Sequence, residues 1–258
     1  MVEIKYPYFT RDRILKIGML ENLRDFPRNA LECCFDELSD GIICGLKPIV
    51  QEDEITFSKG ILKHKGVLYD ISSLSPIKYE ETETEEAIKI VFLNEEQTHD
   101  YRTRFIEFTA GKLTGEENEI ELGRFKLKKG AYLRSEYKDL YDFTTEYNTF
   151  NIVNVSYAGY GAPTLSNLIL KYFAKMALEY NPVNHVDIFF SMLCLNSERV
   201  ERDVIISYLK NRLADEHRFD NLANHEIHRR LVRVLEVIRQ ESQPGRPAPK
   251  TRAAQMFD

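Results

Sequence analysis

Apolar residues in the first forty positions recur three and four apart. Ala30, Leu31, Cys34, Phe35 and Leu38 share one face of a helix. Asp25, Phe26 and Pro27 read as its start, because proline is tolerated in a first helical turn. Ser39, Asp40 and Gly41 read as its end. The period then shortens. Residues 42–50 and 54–57 predict strands on either side of a polar break at 51–53. Ser58, Lys59 and Gly60, and then His64, Lys65 and Gly66, predict tight turns in which glycine takes the unusual dihedral angles. Ile61, Leu62, Val67, Leu68, Tyr69 and Ile71 are the strand residues around them. Further strands are predicted over 87–93, 102–109 and 119–127, with a turn at 111–118.

Residues 131–162 form a tyrosine-rich bridge, with a candidate strand at 151–157. Gly159, Tyr160, Gly161, Ala162 and Pro163 break the pattern and predict a domain boundary. Beyond it the helical period returns. Leu165, Leu168, Ile169, Tyr172, Phe173, Met176 and Leu178 mark one helix, stopped by Asn181 and Pro182. Residues 186–195 are almost wholly apolar and predict a buried helix. Residues 198–213 and 222–239 predict two amphipathic helices. Residues 242–258 hold three prolines and no period, the pattern of a disordered or draping tail. The expected fold class is α+β: an N-terminal arm and helix (1–40), a β-sandwich-like antiparallel domain with its bridge (41–162), a C-terminal helical bundle (163–241) and an extended Pro/Arg tail (242–258).

Composition narrows the function. At 258 residues the chain is long enough for one large or two small domains. A net charge of −6 argues against nonspecific nucleic-acid binding, which needs a basic face. Fourteen Tyr and fifteen Phe offer interface side chains, although core packing accounts for most aromatics. The four cysteines, Cys33, Cys34, Cys44 and Cys194, follow no metal or disulfide spacing, which fits a reducing compartment. The opening residues MVEIKYPYFTRDR lack the apolar core of a signal peptide, and no run is long enough to predict a membrane span. Synthesis and folding in the bacterial cytoplasm are therefore expected.

Candidate chemistry is sparse. His217, His225 and His228 cluster in sequence, but His225 and His228 stand three apart rather than the four of a metalloprotease pair, so surface histidines are expected. The acidic run at 80–86 lacks the ordered oxygens and glycine of a calcium loop and reads as a solvated connector. Gly159 and Gly161 lack both the third glycine of a dinucleotide loop and the Lys-Ser/Thr of a phosphate loop. Arg229, Arg230, Arg233 and Arg239 form a basic stripe that Arg246, Lys250 and Arg252 extend; a helix terminus or an acidic protein neighbour suits it better than nucleic acid. No catalytic, cofactor-binding or metal residue is assigned, and no enzyme activity, cofactor or small-molecule substrate is expected.

The stretch GIICGLKPIVQEDEITFSKGILKHKGVLYDI resembles the glycine-punctuated β module of baseplate and tail-fibre-attachment proteins of contractile phage tails and phage-tail-like bacteriocins. The later ELGRFKL resembles the Leu-Gly strand that closes such modules. The likeness covers about residues 40–130; the helical second half is not part of it. The resemblance implies a structural subunit of a baseplate in a phage tail, tailocin or related injection system. It implies partners among other baseplate or tail-fibre proteins, a homo- or hetero-oligomer within a larger particle, and incorporation into a virion or tail-like particle. Two other classes are weighed against it. A glycan-binding or cell-wall-acting tail protein would carry exposed aromatics beside paired carboxylates, and the absence of Trp counts against it. A nucleic-acid-associated helical protein would use residues 199–252 and bind in a salt-sensitive way.

Overall fold

A computed structural model describes residues 2–51, 53–72, 74–213 and 219–242. The fold is α+β, with an N-terminal helix, antiparallel sheets and C-terminal helices. Among the described residues, helix α1 (Ile17–Phe35) precedes nine strands: β1 (Gly41–Gly45), β2 (Pro48–Val50), β3 (Glu54–Phe57), β4 (Gly60–His64), β5 (Val67–Ile71), β6 (Ile77–Lys78), β7 (Thr82–Gln97), β8 (Arg102–Gly111) and β9 (Glu119–Leu127). They form three three-stranded sheets, ordered β1-β4-β5, β2-β3-β6 and β8-β7-β9. Helices α2 (Asn167–Glu179), α3 (His185–Asn196), α4 (Arg202–Arg212) and α5 (Asn224–Glu241) follow.

The glycine turns have different jobs. Lys65 and Gly66 both have positive φ, 48° and 75°, and close the β4–β5 hairpin, in which His64 faces Val67. Two positive φ values give the turn whose twist matches antiparallel strands. Ser58, Lys59 and Gly60 do not make a hairpin, because β3 and β4 lie in different sheets. Gly60 faces Gly45 across β1 and β4 instead. A Cβ on Gly60 would lie 2.6 Å from the Cys44 carbonyl oxygen and 2.7 Å from the Leu46 nitrogen, so the glycine permits a close backbone approach.

Several expected boundaries move. The run 42–50 is two strands in two sheets, parted at Leu46, whose φ is 49°. The acidic run is no loop beyond Glu81: β7 begins at Thr82, and Glu86 pairs with Phe125 of β9. Pairing across the ladder overrides the poor strand propensity of glutamate. Residues 151–157 form no strand, only single bridges, Asn151 to Arg124 and Tyr157 to Ile42 and Thr164. This segment stitches separate elements together: Ala158 N–H donates to the Ile42 carbonyl at 2.9 Å, and the Asn224 amide donates to the Val155 carbonyl at 2.9 Å.

One buried cluster takes Ile55, Leu62, Ile88, Ile90 and Phe150 from the β part and Phe173, Ile227, Leu231 and Leu235 from the helices. Helix α3 is not buried all round. Asp187, Phe190, Ser191 and Cys194 turn inward, while Val186, Phe189 and Met192 face out, with Phe189 71% exposed. A helix at the margin of a bundle keeps an outer face whatever its composition. No helix among the described residues is long and apolar enough to cross a membrane. Almost all of the Pro/Arg tail, residues 243–258, lies outside the described residues.

Candidate interaction surface

Helix α1 starts eight residues before the expected Asp25 and ends at Phe35. Pro27 is therefore interior to it. The apolar spacing explains the extension. At about 100° per residue, Met19, Leu20, Leu23, Phe26, Ala30, Leu31 and Cys34 fall on one side of the helix, and Glu21, Asn22, Asp25, Arg28, Asn29 and Glu32 on the other. The same stripe runs through both halves, so the helix continues across the proline.

This amphipathic helix is not packed. None of its residues is buried. Leu20, Leu23, Phe26 and Leu31 are between 47% and 63% exposed. The residues ahead of it are equally open, and among the described residues a ring contact sets Tyr6 edge-on to Phe26 at 6.0 Å between centroids. Among the described residues, twelve of the 26 exposed large apolar side chains lie between Val2 and Leu31, which concentrates the apolar surface in this arm.

The arm is fixed at one end. Lys63 of β4, 7% exposed, sends its ammonium to the carbonyls of Phe35 at 2.9 Å, Asp36 at 2.7 Å and Leu38 at 2.8 Å. A cation at a helix C-terminus satisfies carbonyls that the helix leaves unpaired and opposes its dipole. Next in sequence, Asp40 accepts the Lys65 N–H at 2.6 Å, tying the same junction to the β4–β5 turn. His64 stacks on Phe92 with centroids 3.8 Å apart, and burial pushes its pKa down.

His228 is buried rather than on the surface, with Nε2 3.0 Å from the Leu140 carbonyl; burial lowers its pKa. Helical packing explains the correction, since His228 lies on the apolar side of α5 beside Ile227 and Leu231. His225 is exposed, and His217 lies outside the described residues. Among the described residues, no three His, Cys, Asp or Glu side chains gather as metal ligands. The basic stripe is divided: Arg229, Arg233 and Arg239 are exposed, but Arg230 is buried with its guanidinium 5.4 Å from the Phe219 ring centre. Arg246, Lys250 and Arg252 lie outside the described residues. Cys33, Cys34 and Cys44 are exposed; Cys194 is buried, its thiol pushed up to about 12.

Sequence reasoning missed the first half of α1 and the role of Lys63. The signal for the former was present in Met19, Leu20 and Leu23, spaced like the residues after Pro27. Nothing marked Lys63, whose partners lie 25 to 28 residues away.

No family model matches this sequence, and no curated protein does. Among the solved chains with some similarity to this one are three from one kind of system. One belongs to a type VI secretion system TssK-TssF-TssG baseplate subcomplex, at 9% identity and TM-score 0.41 over 92% of this chain and 100% of that one. One is TssK in a crystal structure, at 9% identity and TM-score 0.43 over 93% and 72%. One is from a baseplate complex of the type VI secretion system, at 10% identity and TM-score 0.34 over 91% and 100%. Likeness at this level carries no functional argument.

Proposed function

We propose that this chain is a structural subunit of the baseplate of a contractile, tail-like particle, where it joins neighbouring baseplate or fibre proteins. The observation that carries the reading is α1: a nineteen-residue amphipathic helix with no buried residue, held to the body at its C-terminal end by Lys63. A helix of this kind gains most of its stability from packing its apolar face, so a face left open in the single chain belongs against another protein. The glycine-punctuated β module of residues 41–71 supports the baseplate setting through its resemblance to phage and tailocin components. In this reading the chain performs no chemistry; it is made in the cytoplasm and taken up into the particle.

The test is co-expression with the proteins encoded beside it, followed by purification of the complex. Leu20→Glu/Leu23→Glu places two carboxylates in the stripe at exposed positions, where the body of the fold is untouched. The full chain is expected to purify in a stoichiometric complex, and the variant alone. Equal recovery of both would overturn the reading.

A further inference from the structure

The residues ahead of α1 carry a strand pattern without a strand partner. Val2, Ile4, Tyr6 and Tyr8 alternate with Glu3, Lys5 and Pro7, the period of two that a half-buried strand requires. They belong to no strand or helix, and all four apolar side chains are at least 71% exposed. Lys5 pairs with Glu3 at 3.1 Å on the surface.

The same molecule has an open sheet edge. Among the described residues, strand β8 is the outer strand of the β8-β7-β9 sheet and pairs with β7 alone; β6 passes near it without a hydrogen-bonded pairing. The far side of β9 is covered instead, by mutual backbone hydrogen bonds between Arg124 and Asn151 at 2.8 and 2.7 Å. Over its ten residues β8 has no proline or lysine to blunt its edge. Its side chains alternate too: Arg104, Ile106 and Phe108 are half-buried, while Thr103, Phe105 and Glu107 are exposed.

We propose that residues 2–8 of one copy add antiparallel to the outer edge of β8 in a second copy, with Lys5 opposite Glu107. The inference rests on the assembly reading above and names one of its partners. This register puts like with like on each face. Ile4 lies opposite Phe108, Tyr6 opposite Ile106, and Tyr8 opposite Arg104, whose guanidinium can sit over the ring. On the outer face Lys5 meets Glu107 as an opposite-charge pair. A shift by one residue would turn the apolar set to the solvent side, so the alternation selects the register. Seven extended residues span about 24 Å and the ten of β8 about 34 Å, so the edge is long enough for the whole arm. Pro7, which has no N–H, suits an added edge strand. Donor and acceptor are different surfaces, so each copy can give its arm and receive another.

The test is the mass of the purified full chain by light scattering over a dilution series, with Lys5→Glu, Glu107→Lys, the double reversal, and a form lacking residues 2–8. The proposal expects a multimer of the full chain. Each single reversal weakens association about tenfold, the double reversal restores it to within about twofold, and removal of 2–8 abolishes it. A single-chain mass at every concentration would overturn it. So would a multimer that survives removal of 2–8, or a double reversal no better than the single changes. Both changed residues are exposed, and near-ultraviolet circular dichroism confirms that each variant is folded. Capture of neighbouring proteins through the α1 stripe is read separately, so either idea can fail while the other stands.

Discussion

Lys63 of β4 donates to the carbonyl of Phe35, the last residue of α1, at 2.9 Å, and this contact joins the arm to the body. The ammonium is nearly out of solvent and also serves Asp36 and Leu38. Lys63→Met keeps the length of the stem and removes the donor. It is expected to cost about 1–3 kcal/mol, the range for leaving buried acceptors unpaired. Amide exchange should quicken across residues 17–38 and stay slow in β4 and β5. Uniform quickening through the whole chain would show instead that Lys63 holds the body and not the arm.

Gly45 and Gly60 bring β1 and β4 together. Gly45 has φ of 71°, and a Cβ there would lie 1.9 Å from the Lys59 carbonyl oxygen. Gly45→Ala must accept a left-handed conformation, at about 1–2 kcal/mol, in addition to the steric clash. An unfolding free energy lowered by at least that amount, read from urea denaturation, is expected. Gly66→Ala, at φ of 75° with nothing within 4 Å of the added carbon, should show the conformational part alone.

Asp142 gives the chain a defined acid sensitivity. The Arg134 guanidinium binds its carboxylate, with one contact at 2.7 Å, and the Lys138 N–H and Thr145 hydroxyl add further hydrogen bonds. These hold the carboxyl well below the ordinary value of 3.8, against the opposing effect of burial. With the folded pKa depressed, the stabilisation is present in full above the unfolded pKa and is lost as pH falls below 3.8 toward the folded value. Asp142→Asn should therefore lower the urea midpoint at pH 7, and the gap from the parent should narrow as pH falls through that range. A gap independent of pH would contradict the assignment.

Asp187 has the opposite sign. It is fully buried on α3, accepts the Tyr208 hydroxyl at 2.7 Å and lies 3.0 Å from Arg212 Nε. Burial raises its pKa despite these partners. The folded state then binds the proton more tightly than the unfolded one, and this group's contribution to stability declines as pH rises through 3.8 and up to the folded pKa. Tyr208→Phe removes a hydrogen bond to a buried carboxylate and should cost about 1–3 kcal/mol near neutral pH. The cost should be smaller in acid, where the carboxyl is protonated; an equal cost at both pH values would contradict this.

Much of the fold is legible where a local period decides it. The β4–β5 hairpin follows from His64-Lys65-Gly66, because the turn residues and the flanking apolar runs agree. Strand β9 follows from its apolar residues and bounding polar turns. Legibility fails where a distant partner decides. The glutamates at the start of β7 are strand because β9 lies beside them, with Glu85 2.8 Å from Arg124. Phe189 is outside because of where α3 sits in the bundle, which composition does not state. In the arm, Pro27 hid a continuous stripe: the local rule for proline is sound, but apolar spacing on both sides outweighed it. The surface of α1 was half legible for that reason, and its anchor at Lys63 was not legible at all.

In the proposed function, α1 joins this chain to the neighbouring subunits of a baseplate. The most direct measurement is the mass, by light scattering, of complexes purified after co-expression with the proteins encoded beside it, comparing the full chain with Leu20→Glu/Leu23→Glu. The expected result is a stoichiometric complex for the first, and for the second a folded chain free of those partners. A full chain that purifies without any of them, or a variant that binds them equally well, would contradict it.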